Sequence, residues 1–260
     1  PPDEARIDVQ AGAVIDAGAE GDGKAGKIDI DGIAIDRKAS GLSLVSADVD
    51  IAGSLTGADI EISATAKSII KLSSLKKTAD LAKGDITDGS IETNFDNLTD
   101  LSNLSHELPA SFSVAKTDAT VDIKAQASLQ AIGDVDVSAE ATRTVDTRAD
   151  NAIAGSSLPL GVAAMYGQVS GTTRAKIASG ASVTAGNNLA VRAASDNSLS
   201  ATAKATGDAT AKPKRKTGAA KTAYQQAQKI GGALAIGYAD TTTTAKLRGE
   251  VDIKGDRKST

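Results

Sequence analysis

Ala5-Arg6-Ile7-Asp8-Val9, Ile28-Asp29-Ile30 and Val49-Asp50-Ile51 decide how this chain is read. Each alternates a branched aliphatic residue with an aspartate, and Ile7, Ile28 and Val49 follow one another at steps of 21 residues. Successive side chains on a strand point to opposite faces, so the aliphatic residues share a core face and the aspartates face water. Between these segments lie Val14-Ile15-Asp16, Ile33-Ala34-Ile35-Asp36 and Leu42-Ser43-Leu44, set apart by Gly12, Gly18, Gly32 and Gly41. Short strands, glycine corners and a recurring period predict an all-β chain. Its repeats stack as rungs of a parallel β-solenoid, at roughly 20 residues per rung.

A second self-similarity follows. Ala127-Ser128-Leu129-Gln130-Ala131 matches Ala181-Ser182-Val183-Thr184-Ala185, and Val135-Asp136-Val137 matches Leu189-Ala190-Val191, both at an offset of 54 residues. Leu108-Pro109 and Leu158-Pro159 recur at 50 residues. Ala175-Lys176-Ile177 returns as Ala245-Lys246-Leu247 at 70, with the extra length assigned to Lys212–Lys229. The organisation expected is one continuous solenoid fragment, with regular rungs over 1–65 and an irregular insertion over 66–107 that includes a short helix near Lys67–Leu72. Rungs continue over 108–260, interrupted by a loop or helix near 204–230. About ten rungs at one strand spacing each make a shaft about 50 Å long.

Composition supports repetition over a single large core. The 260 residues contain only Phe95, Phe112, Tyr166, Tyr224 and Tyr238 as aromatics, with no Trp and one Met. Branched aliphatic ladders, Ile over Ile and Val over Val, fill a narrow interior without rings. With no cysteine there is no disulfide framework. A formal charge of −4 does not provide the broad positive field of generic nucleic-acid binding. No apolar run reaches the length of a membrane-spanning helix, and no charged-then-apolar leader opens the chain. The start at Pro1-Pro2-Asp3 and the polar end at Lys258-Ser259-Thr260 read as a piece of something larger.

The wording of three stretches, ARIDVQAGAVIDAGAEGDGKAGKIDI (5–30), GSLTGADIEISATA (53–66) and GASVTAGNNLAVRA (180–193), resembles large filamentous haemagglutinin-like bacterial adhesins exported by two-partner secretion. The resemblance covers most of the chain. It implies a right-handed parallel β-helix, secretion to the bacterial cell surface through an outer-membrane partner, and work in cell adhesion, aggregation or biofilm. A cell-surface glycan, polysaccharide or protein is the implied receptor. The function expected is a structural or adhesive stalk segment, not an enzyme. The alternatives are a carbohydrate-active β-helix of the lyase or hydrolase kind and a passive toxin-delivery scaffold.

Several motifs carry chemistry on paper. Gly21-Asp22-Gly23-Lys24-Ala25-Gly26 spells GxGxxG and Gly18 through Lys24 nearly spells a phosphate loop, but the glycines lead into a strand instead of the helix that holds phosphate, and Ala25 stands where the phosphate loop needs a magnesium-binding hydroxyl. Asp8, Asp29 and Asp50 are expected to stack as carboxylates on adjacent rungs about 5 Å apart. They then form a solvated face screened by Arg6, Lys24 and Lys27, a calcium site with oxygen ligands, or paired acids for glycosidic chemistry. No catalytic or cofactor-binding residue is assigned, and calcium is the one metal considered. His106 is the single histidine, so no histidine metal cluster forms. Lys212, Lys214, Arg215 and Lys216 flank Pro213 as the basic cluster, a surface-contact candidate for anionic partners or else a solvated loop. Asn97-Leu98-Thr99 and Asn103-Leu104-Ser105 spell the glycosylation sequon.

Overall fold

The computed structural model describes residues 3–18, 24–38, 41–73, 110–153, 160–207 and 230–254. All regular structure among them is β. The strands are β1 (Asp3–Val9), β2 (Val14–Asp16), β3 (Ile28–Lys38), β4 (Leu42–Ile51), β5 (Ser54–Gly57), β6 (Ile60–Ser73) and β7 (Ala110–Ile123). They continue with β8 (Ser128–Ala131), β9 (Val135–Ile153), β10 (Leu160–Ile177), β11 (Ser182–Ala185), β12 (Leu189–Gly207), β13 (Ile230–Leu247) and β14 (Glu250–Ile253).

Every third strand is a neighbour. The first sheet runs β1-β4-β7-β10-β13, the second β2-β5-β8-β11-β14 and the third β3-β6-β9-β12. Neighbouring strands in all three are parallel. The chain thus visits each sheet once per rung and steps on, an arrangement consistent with a β-solenoid.

Alternation places the core as expected. Ile28 and Ile30 are buried while Asp29 between them is exposed. In the first sheet Val9, Ile51, Ile123, Ile177 and Leu247 form one continuous ladder. Ile15, Leu55, Leu129, Val183 and Val251 form a second ladder in the second sheet. Ile28, Ile60, Val135 and Leu189 form a third. Each buried aliphatic side chain contributes about 1.5–3 kcal/mol of transfer free energy. At the second rung the chain turns from the first sheet to the second in two residues, Ala52 and Gly53. A Cβ on Gly53 would lie 2.5 Å from the Ala13 carbonyl oxygen of the rung before, so a larger residue has no room.

The rung is larger than the 21-residue step predicts. Ile7 pairs with Val49, Val49 with Val121, Val121 with Ala175 and Ala175 with Ala245, so successive rungs are 42, 72, 54 and 70 residues apart. Ile28 lies on the third sheet, paired with Ile60. Each 21-residue step therefore relates a first-sheet strand to a third-sheet strand, and two steps together make one rung, from Ile7 to Val49. The described strands fill four rungs and two strands of a fifth, and four rung spacings span about 19 Å, not 50 Å. The offsets of 54 and 70 are true rung offsets, for they align Ser128 with Ser182, Val135 with Leu189, and Ala175 with Ala245.

Strand pairing also extends past the expected boundaries. β6 runs through Ser73, with Ala66, Ser68 and Ile70 buried in strict alternation, so Lys67–Leu72 is strand and not helix. Ile69 beside Ile70 blurred the period of two in the sequence. β12 likewise runs to Gly207 and β13 starts at Ile230. Residues 74–109 and 208–229 lie outside the described residues, and with them the Leu108-Pro109 repeat and both sequons.

The interior has two compartments. Second-sheet strands are only three or four residues long, whereas those of the other sheets reach 19 residues. Where all three sheets face one another, Ile51, Leu55, Ile62, Val121, Leu129, Val137 and Ile177 form one cluster. Where the first and third sheets run on alone, Ile70, Ala115, Val145 and Val169 form a second, and Ala149, Ala163 and Met165 a third.

Candidate functional site

Parallel pairing in register turns each outward position into a column along the stack, so charge chemistry is set by which residues share a column. Asp8 and Asp50 are direct partners on β1 and β4, and Asp122 on β7 extends the column to three carboxylates. The same column continues as Lys176 on β10 and Lys246 on β13. Asp29 does not belong to it. It stands on β3 beside Glu61, whose next partner is Asp136. The three aspartates expected to stack are therefore two on the first sheet and one on the third.

Like charges one strand spacing apart repel unless cations intervene. Lys124 places its Nζ 2.6 Å from Asp50 and 3.6 Å from Asp122, and Arg174 Nη2 donates to Asp122 at 2.5 Å. Burial pulls the Lys124 ammonium down, but the Asp50 and Asp122 carboxylates outweigh it and hold the pKa above its ordinary value. On the third sheet Lys27 donates to Glu61 at 2.5 Å and to Asp29 at 3.3 Å. Those two hydrogen bonds raise the Lys27 pKa. Arg192 spans to Asp136 at 2.5 Å. Asp48 accepts from Ser46 at 2.7 Å and from Thr120.

Lys24 is exposed, and Gly21, Asp22 and Gly23 of the GxGxxG spelling lie outside the described residues. His106, Lys212, Lys214, Arg215 and Lys216 lie outside them too. Among the described residues, no group of three or more His, Cys, Asp and Glu is arranged to hold a metal ion. No helix among them is long and apolar enough to cross a membrane.

Two further features were missed in the sequence. The first is an outward apolar row. Phe112 and Tyr166 stack with ring centroids 5.4 Å apart and planes 11° from parallel. Tyr166 donates its hydroxyl to Gln168 at 2.9 Å, and burial raises its pKa. Leu234, Ile236 and Tyr238 on β13 pair with Ala164, Tyr166 and Gln168, and all three remain 46–55 % exposed. Small inward residues explain this inversion: Gly167 and Gly237 leave space that Leu199 of the third sheet occupies.

The second is a polar column on the third sheet: Asp36, Ser68, Arg143 and Asn197 are successive partners, the first three buried and Asn197 exposed. Arg143 is fully buried and sits where alternation from Val135 through Val145 calls for an apolar residue. That breach of parity was the available signal. Burial lowers the guanidinium pKa, and the Asp118 charge partly offsets this.

No family model, curated protein or solved structure matches the chain.

Proposed function

We propose that this chain is a stalk segment of a large secreted bacterial surface adhesin, a right-handed parallel β-helix of the filamentous haemagglutinin-like kind with no catalytic role. The observation that carries the reading is constant register against variable spacing. Three sheets stay paired through the described rungs while the offset between partners on the first sheet ranges from 42 to 72 residues. Such a backbone sets distance and presentation, and repeated pairing supplies its rigidity. The outward carboxylates support the same view. Asp50, Asp122, Asp29 and Glu61 are engaged by Lys124, Arg174 and Lys27, which leaves them poorly placed as general acids or as calcium ligands. The row Leu234, Ile236 and Tyr238 is the described surface best suited to contact a glycan, polysaccharide or protein receptor, since exposed apolar rows mark interaction sites.

The test is binding of the purified chain to glycans and to cell surfaces, with and without chelator, alongside turnover assays on acidic polysaccharides. Binding without turnover, weakened by Tyr238→Ala and indifferent to chelator, is the expected result. Turnover abolished by Asp29→Asn would overturn the reading in favour of a carbohydrate-active enzyme. Absence of both binding and turnover would reduce the segment to a spacer.

A further inference from the structure

The polar column is part of a seam that crosses the interior between the third and first sheets. Ser43 donates to Asp36 at 2.8 Å, and Ser68 donates to Ser43 at 2.6 Å. One rung on from Ser68, Arg143 donates through Nε to the carbonyl oxygens of Thr117 and Ser170, both at 3.1 Å, and through Nη2 to the Thr117 carbonyl at 2.5 Å and Thr173 Oγ1 at 3.2 Å. Its Nη1 donates to Asn197 Oδ1 at 3.0 Å, and Asn197 reaches Thr241 on β13 at 3.4 Å. Asp36, Ser43, Ser68, Thr117, Arg143 and Thr173 are all buried. On one side of the seam lies the three-sheet core, and on the other the two clusters held between the first and third sheets alone.

At the seam the first sheet is itself interrupted. β7 and β10 pair from Ala110 to Lys116 and again from Ala119 to Ile123, but Thr117 and Asp118 have no ladder partner in β10. The gap is filled by side chains. Arg143 takes the two carbonyls from within, and Asp118 accepts the Thr172 amide at 2.7 Å. Gly171 adopts a φ of +133° at this point. Between β7 and β10 a guanidinium has replaced backbone donors, so that one ladder is broken at the seam, while β4–β7, β10–β13 and the third sheet pair through it. Regions with separate apolar clusters, joined at a level where one ladder is broken and the interior is polar, open with separate free energies.

We infer that the seam is a built-in boundary: the two-sheet flange beyond it opens and recloses as a unit of its own while the three-sheet shaft stays closed. The links between third-sheet and first-sheet strands all leave from the flange, including those spanning 74–109 and 208–229. The boundary separates the three-sheet shaft from the ends of the strands where those links begin.

Native-state hydrogen exchange on the full chain, resolved to single amides, tests this. In the wild type, amides of Val145–Ala149, Ala163–Val169 and Leu199–Ala203 should share one opening and exchange at least tenfold faster than Val121–Ile123, Val135–Ala141 and Ala175–Ile177. Arg143→Met, which keeps bulk and removes the donors, should speed the flange amides by a further tenfold or more and leave the shaft amides unchanged. Should that variant not fold, Asn197→Ala should shift the same set in the same direction by a smaller factor. A single common exchange rate for both sets in the wild type, or equal acceleration of both by either variant, would overturn the inference.

Discussion

Replacing Ile123 by alanine probes the ladder that holds the rungs together. Ile123 is fully buried between Ile51 and Ile177, themselves fully buried, so no neighbour is exposed to solvent and free to swing into the space. The change deletes three carbons at about 0.8 kcal/mol each, about 2.4 kcal/mol of transfer free energy. The cavity left behind brings the expected loss to about 3–4 kcal/mol. The same truncation at Leu247, the end of the ladder and 49 % exposed, should lose about 1 kcal/mol or less. Urea unfolding followed by circular dichroism measures both, and the unfolding slope shows whether cooperativity survives, since repeat stacks can lose it. Ile51→Ala combined with Ile123→Ala should depart from additivity by about 0.5 kcal/mol or more, because the two side chains are in contact. A loss below about 1 kcal/mol for Ile123→Ala, or equal losses at Ile123 and Leu247, would refute the view that stacked aliphatic ladders carry the stability.

Gly171→Ala should destabilise by at least about 1–3 kcal/mol, because a Cβ there meets the Thr117 carbonyl at 2.1 Å in a backbone conformation that side chains resist; thermal melting reads it. The raised Lys124 and Lys27 values give a pH dependence of definite sign: their stabilisation is fully present below the ordinary lysine value of 10.5 and is lost as pH rises through the higher folded values. Melting temperature measured in strongly alkaline buffer should therefore fall, and Lys124→Met should flatten that fall. Calcium or chelator should leave the melting temperature unchanged, since Lys124 and Arg174 already neutralise Asp50 and Asp122; a rise with calcium that Asp50→Asn removes would reinstate a metal site.

The fold class was legible because alternation is a local property. Ile28, Asp29 and Ile30 declare their faces without reference to any other rung. Rung size was not legible from the same motif. The first and third sheets each bury one face with the same period of two, so Ile7-Asp8-Val9 and Ile28-Asp29-Ile30 look alike although they lie on different sheets. Links between third-sheet and first-sheet strands, from three residues after Lys38 to 36 after Ser73, erase any constant period. The offset of 54 survived because two separate segments matched at the same spacing, and that of 70 because Ala175-Lys176-Ile177 and Ala245-Lys246-Leu247 match residue by residue. For the charged columns, identical motifs placed Asp29 between Asp8 and Asp50, although those two pair directly and Asp29 stands on another sheet; the cations that answer them, Lys124 and Arg174, belong to later rungs and needed the true offsets. Arg143 was visible as a charge at an inward position, but its carbonyl partners on β7 and β10 were not.

The column that runs Asp8, Asp50, Asp122, Lys176 and Lys246 changes sign along the stack. Within the column the carboxylates stand on β1, β4 and β7 and the ammonium groups on β10 and β13, so the column itself is polar along the stacking direction. Lys124 and Arg174 offset part of that polarity where they meet Asp50 and Asp122, and what is left tells one end of the column from the other.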